Sequence, residues 1–131
     1  MLLDTSGLLC FFDADDFRHQ EAVTLFGSAE RLPTHNYVLA EFIPLCQSRR
    51  LSRHEALNFA RALLENISVE IVWVDETLHR AAQTLLQNRL DKSYSICDAV
   101  SFLLMRERNL TEALTTDQHF SQEGFTRLLS S

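Results

Sequence analysis

The sequence predicts an α/β sandwich around a mainly parallel sheet. Short apolar runs, several of them rich in β-branched residues, alternate with longer segments whose apolar residues recur at helical spacing. The chain contains only 3 Gly and 2 Pro, which leaves little material for a flexible linker, and it contains no internal repeat. In sheets of this kind, ligands bind at the carboxyl ends of the strands.

The first half of the chain predicts two strands and three helices. Residues 1–5 read as a short buried strand that ends near Asp4, followed by a turn at Ser6 and Gly7. A helix is predicted over residues 16–26 and a second strand over residues 32–35. Two further helices follow, over residues 36–50 with Asn36 as the cap and over residues 52–66 with Ser52 as the cap.

The second half continues the alternation. Residues 69–74 are rich in β-branched residues and predict a central strand, and residues 75–90 return to helical spacing. Residues 95–109 are apolar on nearly every side, as expected of a helix buried in the core. Strands are predicted over residues 113–116 and 126–129, which gives four to five strands in all.

Composition limits the class of protein. With 131 residues, of which 46% are hydrophobic, the chain fits a single domain over residues 1–131. No basic leader and no apolar run of membrane-spanning length is found, so we expect a soluble, cytoplasmic protein. Cys10, Cys46 and Cys97 are widely spaced among apolar neighbours and predict free core thiols. The formal net charge of −6 argues against bulk attraction to nucleic acid.

Four acidic residues carry the functional prediction: Asp4, Glu41, Asp98 and Asp117. Each lies beside an apolar segment, and the predicted topology directs two strand ends and two helix positions toward one crevice. Carboxylates brought together in this way repel one another unless a divalent cation neutralises them. Oxygen ligands of this type suit Mg²⁺ or Mn²⁺, and such a site suits phosphoryl chemistry.

Each acid also has a simpler interpretation. Asp4 could open a turn, and Glu41 could be a boundary residue whose stem packs while its carboxylate is hydrated. Asp98 fits a capping box with Ser95, and Asp117 could cap a short helix. Taken singly, these interpretations are as good as the functional one; the case for a metal site depends on all four acids converging.

Four segments resemble the PIN-domain family, and most of all the VapC-type ribonuclease toxins of bacterial toxin–antitoxin pairs. They are Leu2-Leu3-Asp4-Thr5-Ser6, Asn36-Tyr37-Val38-Leu39-Ala40-Glu41, Ser93-Tyr94-Ser95-Ile96-Cys97-Asp98-Ala99-Val100-Ser101-Phe102 and Thr115-Thr116-Asp117-Gln118-His119-Phe120. The resemblance implies a three-layer α/β/α PIN-like sandwich. It also implies that the four acids bind Mg²⁺ or Mn²⁺ and catalyse RNA hydrolysis, with Ser6 and Thr116 as supporting hydroxyls. A homodimer and a cognate antitoxin protein are implied as partners.

Two features depart from the family pattern. Pro44 should remove a backbone hydrogen bond three residues after Glu41 and kink the helix there. The acidic composition leaves RNA binding to a few cations, for which Arg49 and Lys92 are the candidates, and His119 is expected at the surface of a short helix.

A PIN-type RNA-processing nuclease and a non-catalytic PIN-like binding module remain as alternatives. A phosphoaspartyl protein is disfavoured because Ser6 stands where a second acid would be needed.

Overall fold

The computed structural model describes all residues 1–131 as five strands and seven helices. The strands are β1 Leu2–Leu3, β2 Leu32–His35, β3 Val69–Val72, β4 Glu112–Leu114 and β5 Thr126–Arg127. The helices are α1 Thr5–Phe12, α2 His19–Ser28, α3 Asn36–Ser48, α4 Arg53–Glu65, α5 Glu76–Gln87, α6 Ile96–Glu107 and α7 Gln118–Gln122. The predicted alternation of strands and helices is therefore confirmed.

Every strand pairing is parallel. β4 lies between β1 and β5, and β2 pairs with β3. The two ladders meet at β1 and β2, where the Thr34 hydroxyl donates to the carbonyl of Leu3 at 2.9 Å. β3 consequently lies at the edge of the sheet, and Trp73 just beyond it is 65% exposed. The prediction of a central strand here was wrong, because β-branched composition indicates a strand but not its position in the sheet.

Two apolar clusters cover the two faces of the sheet. Leu3 and Leu114 point into a cluster with residues of α1 to α4, whereas Leu2 and Ala113 point into a cluster with residues of α5 to α7. Neighbouring strand residues alternate between faces, so each short strand contributes to both clusters. This arrangement confirms a three-layer α/β/α sandwich. The three cysteines are free and buried, as predicted.

The first helix is the main feature that the sequence did not reveal. α1 begins at Thr5, directly after Asp4, where a turn was predicted at Ser6 and Gly7. Gly7 is required for close packing rather than for a turn, because a Cβ atom there would lie 1.9 Å from the carbonyl oxygen of Leu114. α1 therefore packs directly against β4, which fixes the distance between the first and fourth strand ends.

Helix ends differ from the prediction in smaller ways. Asn36 is the first residue of α3 rather than its cap, and its side-chain oxygen accepts a hydrogen bond from the Val74 N–H at 2.6 Å. Ser52 caps α4 and Ser95 caps α6, both as predicted. No helix has the length and apolar character needed to cross a membrane.

Candidate metal centre and active site

A cleft of about 620 Å³ opens at the carboxyl ends of β1 and β4. Asp4, Glu41, Asp98 and Asp117 all line it. The other lining residues are Thr5, Ser6, Ala40, Pro44, Leu45, Ser93, Ser95 and His119. The chain thus brings the four acids of the sequence prediction to one place, from two strand ends and the helices α3 and α6.

Asp4 is the most constrained of the four. It lies between β1 and α1, is 5% exposed, and accepts hydrogen bonds from Thr115 Oγ1 at 2.7 Å and Ser6 Oγ at 3.3 Å. Burial raises the pKa of Asp4 to about 7; the Thr115 hydrogen bond opposes this, and the charges of Asp98 and Asp117 add to it. A carboxylate in this position is costly without a positive partner.

Asp98 is fixed by the start of α6. Its Oδ2 accepts a hydrogen bond from the Ser95 N–H at 3.0 Å, and Ser95 Oγ accepts one from the Asp98 N–H at 3.0 Å. This reciprocal capping box holds Asp98 at 6% exposure. The capping interpretation is therefore correct, and the same geometry keeps Asp98 in the wall of the cleft.

Asp117 begins α7 and continues the network from Asp4. Its Oδ1 accepts a hydrogen bond from the His119 N–H at 2.9 Å, so it caps the short helix. Its own N–H donates to Thr115 Oγ1 at 3.0 Å. Asp4 and Asp117 are therefore tied to the same threonine hydroxyl.

Glu41 is the least constrained acid. It is exposed, and its carboxylate accepts a long hydrogen bond from Thr5 Oγ1 at 3.5 Å. Pro44 lies inside α3, which nevertheless continues to Ser48, and Pro44 itself lines the cleft. The proline does not move Glu41 away from the other acids.

Two residues of the site were not identified from the sequence. The threonine hydroxyl that donates to Asp4 belongs to Thr115, whereas Thr116 enters the network through its backbone N–H, which donates to Ser6 Oγ at 3.0 Å. Strand alternation could have indicated Thr115, because residues two apart share a face and Asp117 faces the cleft. His119 is not the surface residue that was expected: it lines the cleft, and its Nδ1 lies 2.8 Å from Asp98 Oδ2.

The two candidate RNA-binding cations lie outside the cleft lining. Arg49 is exposed at the end of α3 and makes no ion pair. Lys92 pairs with Asp91 at 3.2 Å and precedes Ser93, which does line the cleft.

The donor set fits a divalent cation. Ligand atoms of Asp98, Asp117 and His119 lie within 4.8 Å of one another, and Asp4 shares the same cleft. Carboxylate oxygens are the preferred ligands of Mg²⁺ and Mn²⁺. The raised pKa of Asp4 is the second indication, because a cation would relieve the repulsion that contributes to it.

Comparison with known proteins gives a consistent result. The PIN domain family model matches residues 1–125. The 23S rRNA-specific endonuclease VapC20 of Mycobacterium tuberculosis is 31% identical over 129 residues, which cover 98% of this chain and 97% of the relative, in both strain CDC 1551 / Oshkosh and strain H37Rv. The crystal structure of Mycobacterium tuberculosis VapC20, described as a Sarcin-Ricin loop cleaving toxin, superposes with a TM-score of 0.85 and 31% identity, covering 95% of each chain.

Proposed function

Because this chain belongs to the PIN-domain family, we propose that it is a divalent-metal-dependent endoribonuclease and the toxin of a toxin–antitoxin pair. The observation that carries the proposal is the convergence of four carboxylates on one cleft, one of them buried with a pKa raised to about 7. An uncompensated cluster of this kind would destabilise the fold. The full-length similarity to a curated ribosomal RNA endonuclease supports the same conclusion.

In this proposal, Asp4, Glu41, Asp98 and Asp117 hold Mg²⁺ or Mn²⁺. When bound, the ion supplies positive charge that neutralises the carboxylates and polarises both a phosphate oxygen and a water molecule. Thr115 and Ser6 orient Asp4, and the capping box orients Asp98. Glu41, which is exposed and accepts a long hydrogen bond from Thr5, is free to turn toward the ion or toward the incoming water.

The reaction is hydrolysis of a phosphodiester bond. Water attacks the phosphorus, the bond to the 3′ oxygen breaks, and the proton lost by the water balances the one gained by the leaving oxygen. The products are a 5′-phosphate and a 3′-hydroxyl. Arg49 and Lys92 are the proposed contacts to the phosphates on either side of the cut.

Ribosomal RNA is the first substrate to test, because the similar protein VapC20 is described as a 23S rRNA-specific endonuclease. The proposed partners are a cognate antitoxin that blocks the cleft and a second copy of this chain. Growth arrest on expression, reversed by a small protein encoded next to this chain, would support the toxin role. Cleavage without growth arrest would favour an RNA-processing nuclease.

The direct test measures cleavage of 23S rRNA by purified protein with Mg²⁺, with Mn²⁺ and with a chelator. Asp98→Asn should lower the rate about 100-fold or more while the protein stays folded, because Asn keeps an oxygen that can accept the Ser95 hydrogen bond. His54→Ala, on the exposed face of α4 outside the cleft, is the matched control. Unchanged cleavage by Asp98→Asn would overturn the proposal; absence of both cleavage and Mn²⁺ binding in the wild type would favour a binding module.

A further inference from the structure

His119 is held on three sides within the cleft. Its Nδ1 lies 2.8 Å from Asp98 Oδ2 and 3.5 Å from Asp117 Oδ1. Its Nε2 lies 3.2 Å from Ser93 Oγ, and the Tyr94 ring packs edge-on against the imidazole at 5.2 Å between centroids. A histidine with these contacts has a defined orientation, although its side chain is 24% exposed.

The contacts also define which nitrogen carries the hydrogen. An ionised carboxylate can only accept a hydrogen bond, so the 2.8 Å contact with Asp98 requires the hydrogen on Nδ1. In the neutral ring, Nε2 is then an acceptor, and Ser93 Oγ can donate to it. Nδ1 lies among the carboxylate oxygens of Asp98 and Asp117. Because it carries the hydrogen, however, it has no free lone pair with which to bind a metal ion.

We propose that His119 is a positioning residue for Asp98, and that it acts by hydrogen bonding to the Asp98 carboxylate rather than by binding the metal. The Ser95 N–H and His119 Nδ1 both donate to Oδ2 of Asp98, which leaves Oδ1 without a hydrogen bond from the protein and available as a ligand. Partners of this kind fix the orientation of a ligand and raise the affinity of its site. The inference rests on the proposed metal-dependent nuclease function and deepens it.

A buried glutamate, Glu123, holds in place the loop whose residues contact the imidazole. Glu123 accepts hydrogen bonds from Tyr94 Oη at 3.1 Å and from Arg89 Nε at 3.0 Å, and from Arg106 Nη2 at 2.6 Å. These bonds hold the loop between α5 and α6 against the end of α7. Tyr94 and Ser93, which contact the His119 ring, are both on this loop.

The experiment measures Mn²⁺ and Mg²⁺ affinity by calorimetry for wild type, His119→Ala, His119→Asn and His119→Gln. An Asn amide can place its N–H near the position of Nδ1, whereas the longer Gln places it near Nε2. We expect His119→Ala and His119→Gln to lose about 10- to 100-fold in affinity for both ions by the same factor, and His119→Asn to recover most of it. In cleavage assays at a fixed metal concentration, kcat should follow the same order among the variants. KM for RNA should change little.

The outcomes separate this inference from the proposed function. If His119 were a direct nitrogen ligand, its loss would weaken Mn²⁺ binding more than Mg²⁺ binding, because Mg²⁺ prefers oxygen; such a change in the ratio overturns the inference. Equal affinities in wild type and His119→Ala also overturn it and leave the nuclease proposal standing. Absence of Mn²⁺ binding in the wild type overturns both. If His119→Ala does not fold, the contrast between Asn and Gln decides, and His54→Ala controls for loss of a histidine elsewhere.

Discussion

At the scale of single residues, the site is built around Asp4, whose negative charge the hydrogen bonds of the fold do not fully stabilise. Asp4 receives two hydroxyl hydrogen bonds, yet its pKa rises to about 7, chiefly because burial penalises the charged form. Thr115 contacts Asp4, Ser6 and the Asp117 N–H, and thereby joins two of the acids into one network. The hydroxyls orient Asp4, and in the proposed metal site a cation supplies the remaining stabilisation.

This imbalance predicts how stability depends on pH without metal. The pKa of Asp4 is about 7 in the folded state and about 3.8 in the unfolded state, so between these values the folded state binds more protons. Its contribution to stability is full below pH 4 and is lost as the pH rises through 7, with a magnitude of about 4 kcal/mol. The difference between wild type and Asp4→Asn in urea unfolding in chelator between pH 4 and 8 measures it.

Two comparisons test the assignment to Asp4. Asp4→Asn cannot ionise, so its free energy of unfolding should lose this part of the pH dependence. Mn²⁺ added at pH 7.5 should stabilise the wild type and have a much smaller effect on Asp4→Asn. The buried His35, whose pKa is lowered to about 4, adds the opposite slope to both proteins, so only their difference reports on Asp4. Equal pH dependence of unfolding in chelator for wild type and Asp4→Asn would contradict the prediction.

At the scale of elements, the position of the site depends on how closely α1 packs against β4. Gly7→Ala places a Cβ atom 1.9 Å from the Leu114 carbonyl oxygen and 2.5 Å from its carbon, and neither backbone atom can move aside. We expect a loss of about 3 kcal/mol in the free energy of unfolding, and a lower cleavage rate because Asp4 directly precedes α1. Thermal unfolding and rRNA cleavage measure the two effects.

Gly27→Ala is the matched control for this prediction. Gly27 lies in α2, and a Cβ atom there has nothing within 4 Å. Alanine favours the helix over glycine, so this variant should be more stable by up to about 1 kcal/mol. If Gly7→Ala were as stable as Gly27→Ala, the close approach of α1 and β4 would not be present in solution.

The elements also show what the sequence can and cannot predict. β2 is found at the predicted residues, and α6 follows its predicted Ser95 cap, because apolar period and capping chemistry are local signals. α1 was missed because the need for Gly7 arises from a strand more than 100 residues away. The convergence of the four acids could be predicted from the sequence, because the carboxyl ends of parallel strands lie at one edge of the sheet. The contact of His119 with Asp98 depends on side-chain orientation, which spacing alone does not determine.

At the scale of the whole molecule, the two apolar clusters share one thin sheet. Leu2 and Leu3 are consecutive residues that enter opposite clusters, as do Ala113 and Leu114. Neither cluster can lose its layer of helices without exposing the strands that support the other. We propose on this basis that residues 1–131 form a single domain.

The distribution of charge over the molecule determines which surface can attract the phosphates of RNA. The net charge is −6, and five of the eleven arginines form an ion pair with an acid, as in the pairs of Arg18 with Asp16 and Arg108 with Glu70. Arg49, Arg50 and Arg53, at the connection between α3 and α4, make no ion pair and are all exposed. This group is the main local source of free positive charge, and α3 also carries Glu41 and Pro44 of the cleft.

These unpaired arginines predict a salt-dependent contribution to RNA binding. Arg49→Gln should weaken RNA binding and reduce the slope of log Kd against log salt by about 0.7 to 1, the value for one phosphate contact. The turnover at saturating RNA should change little, because Arg49 does not line the cleft. Titration of an RNA substrate into metal-free protein at several salt concentrations measures the slope. Arg80→Gln, whose arginine is paired with Glu76 at 2.7 Å on α5, is the control, and an equal effect of the two substitutions would contradict a role for Arg49.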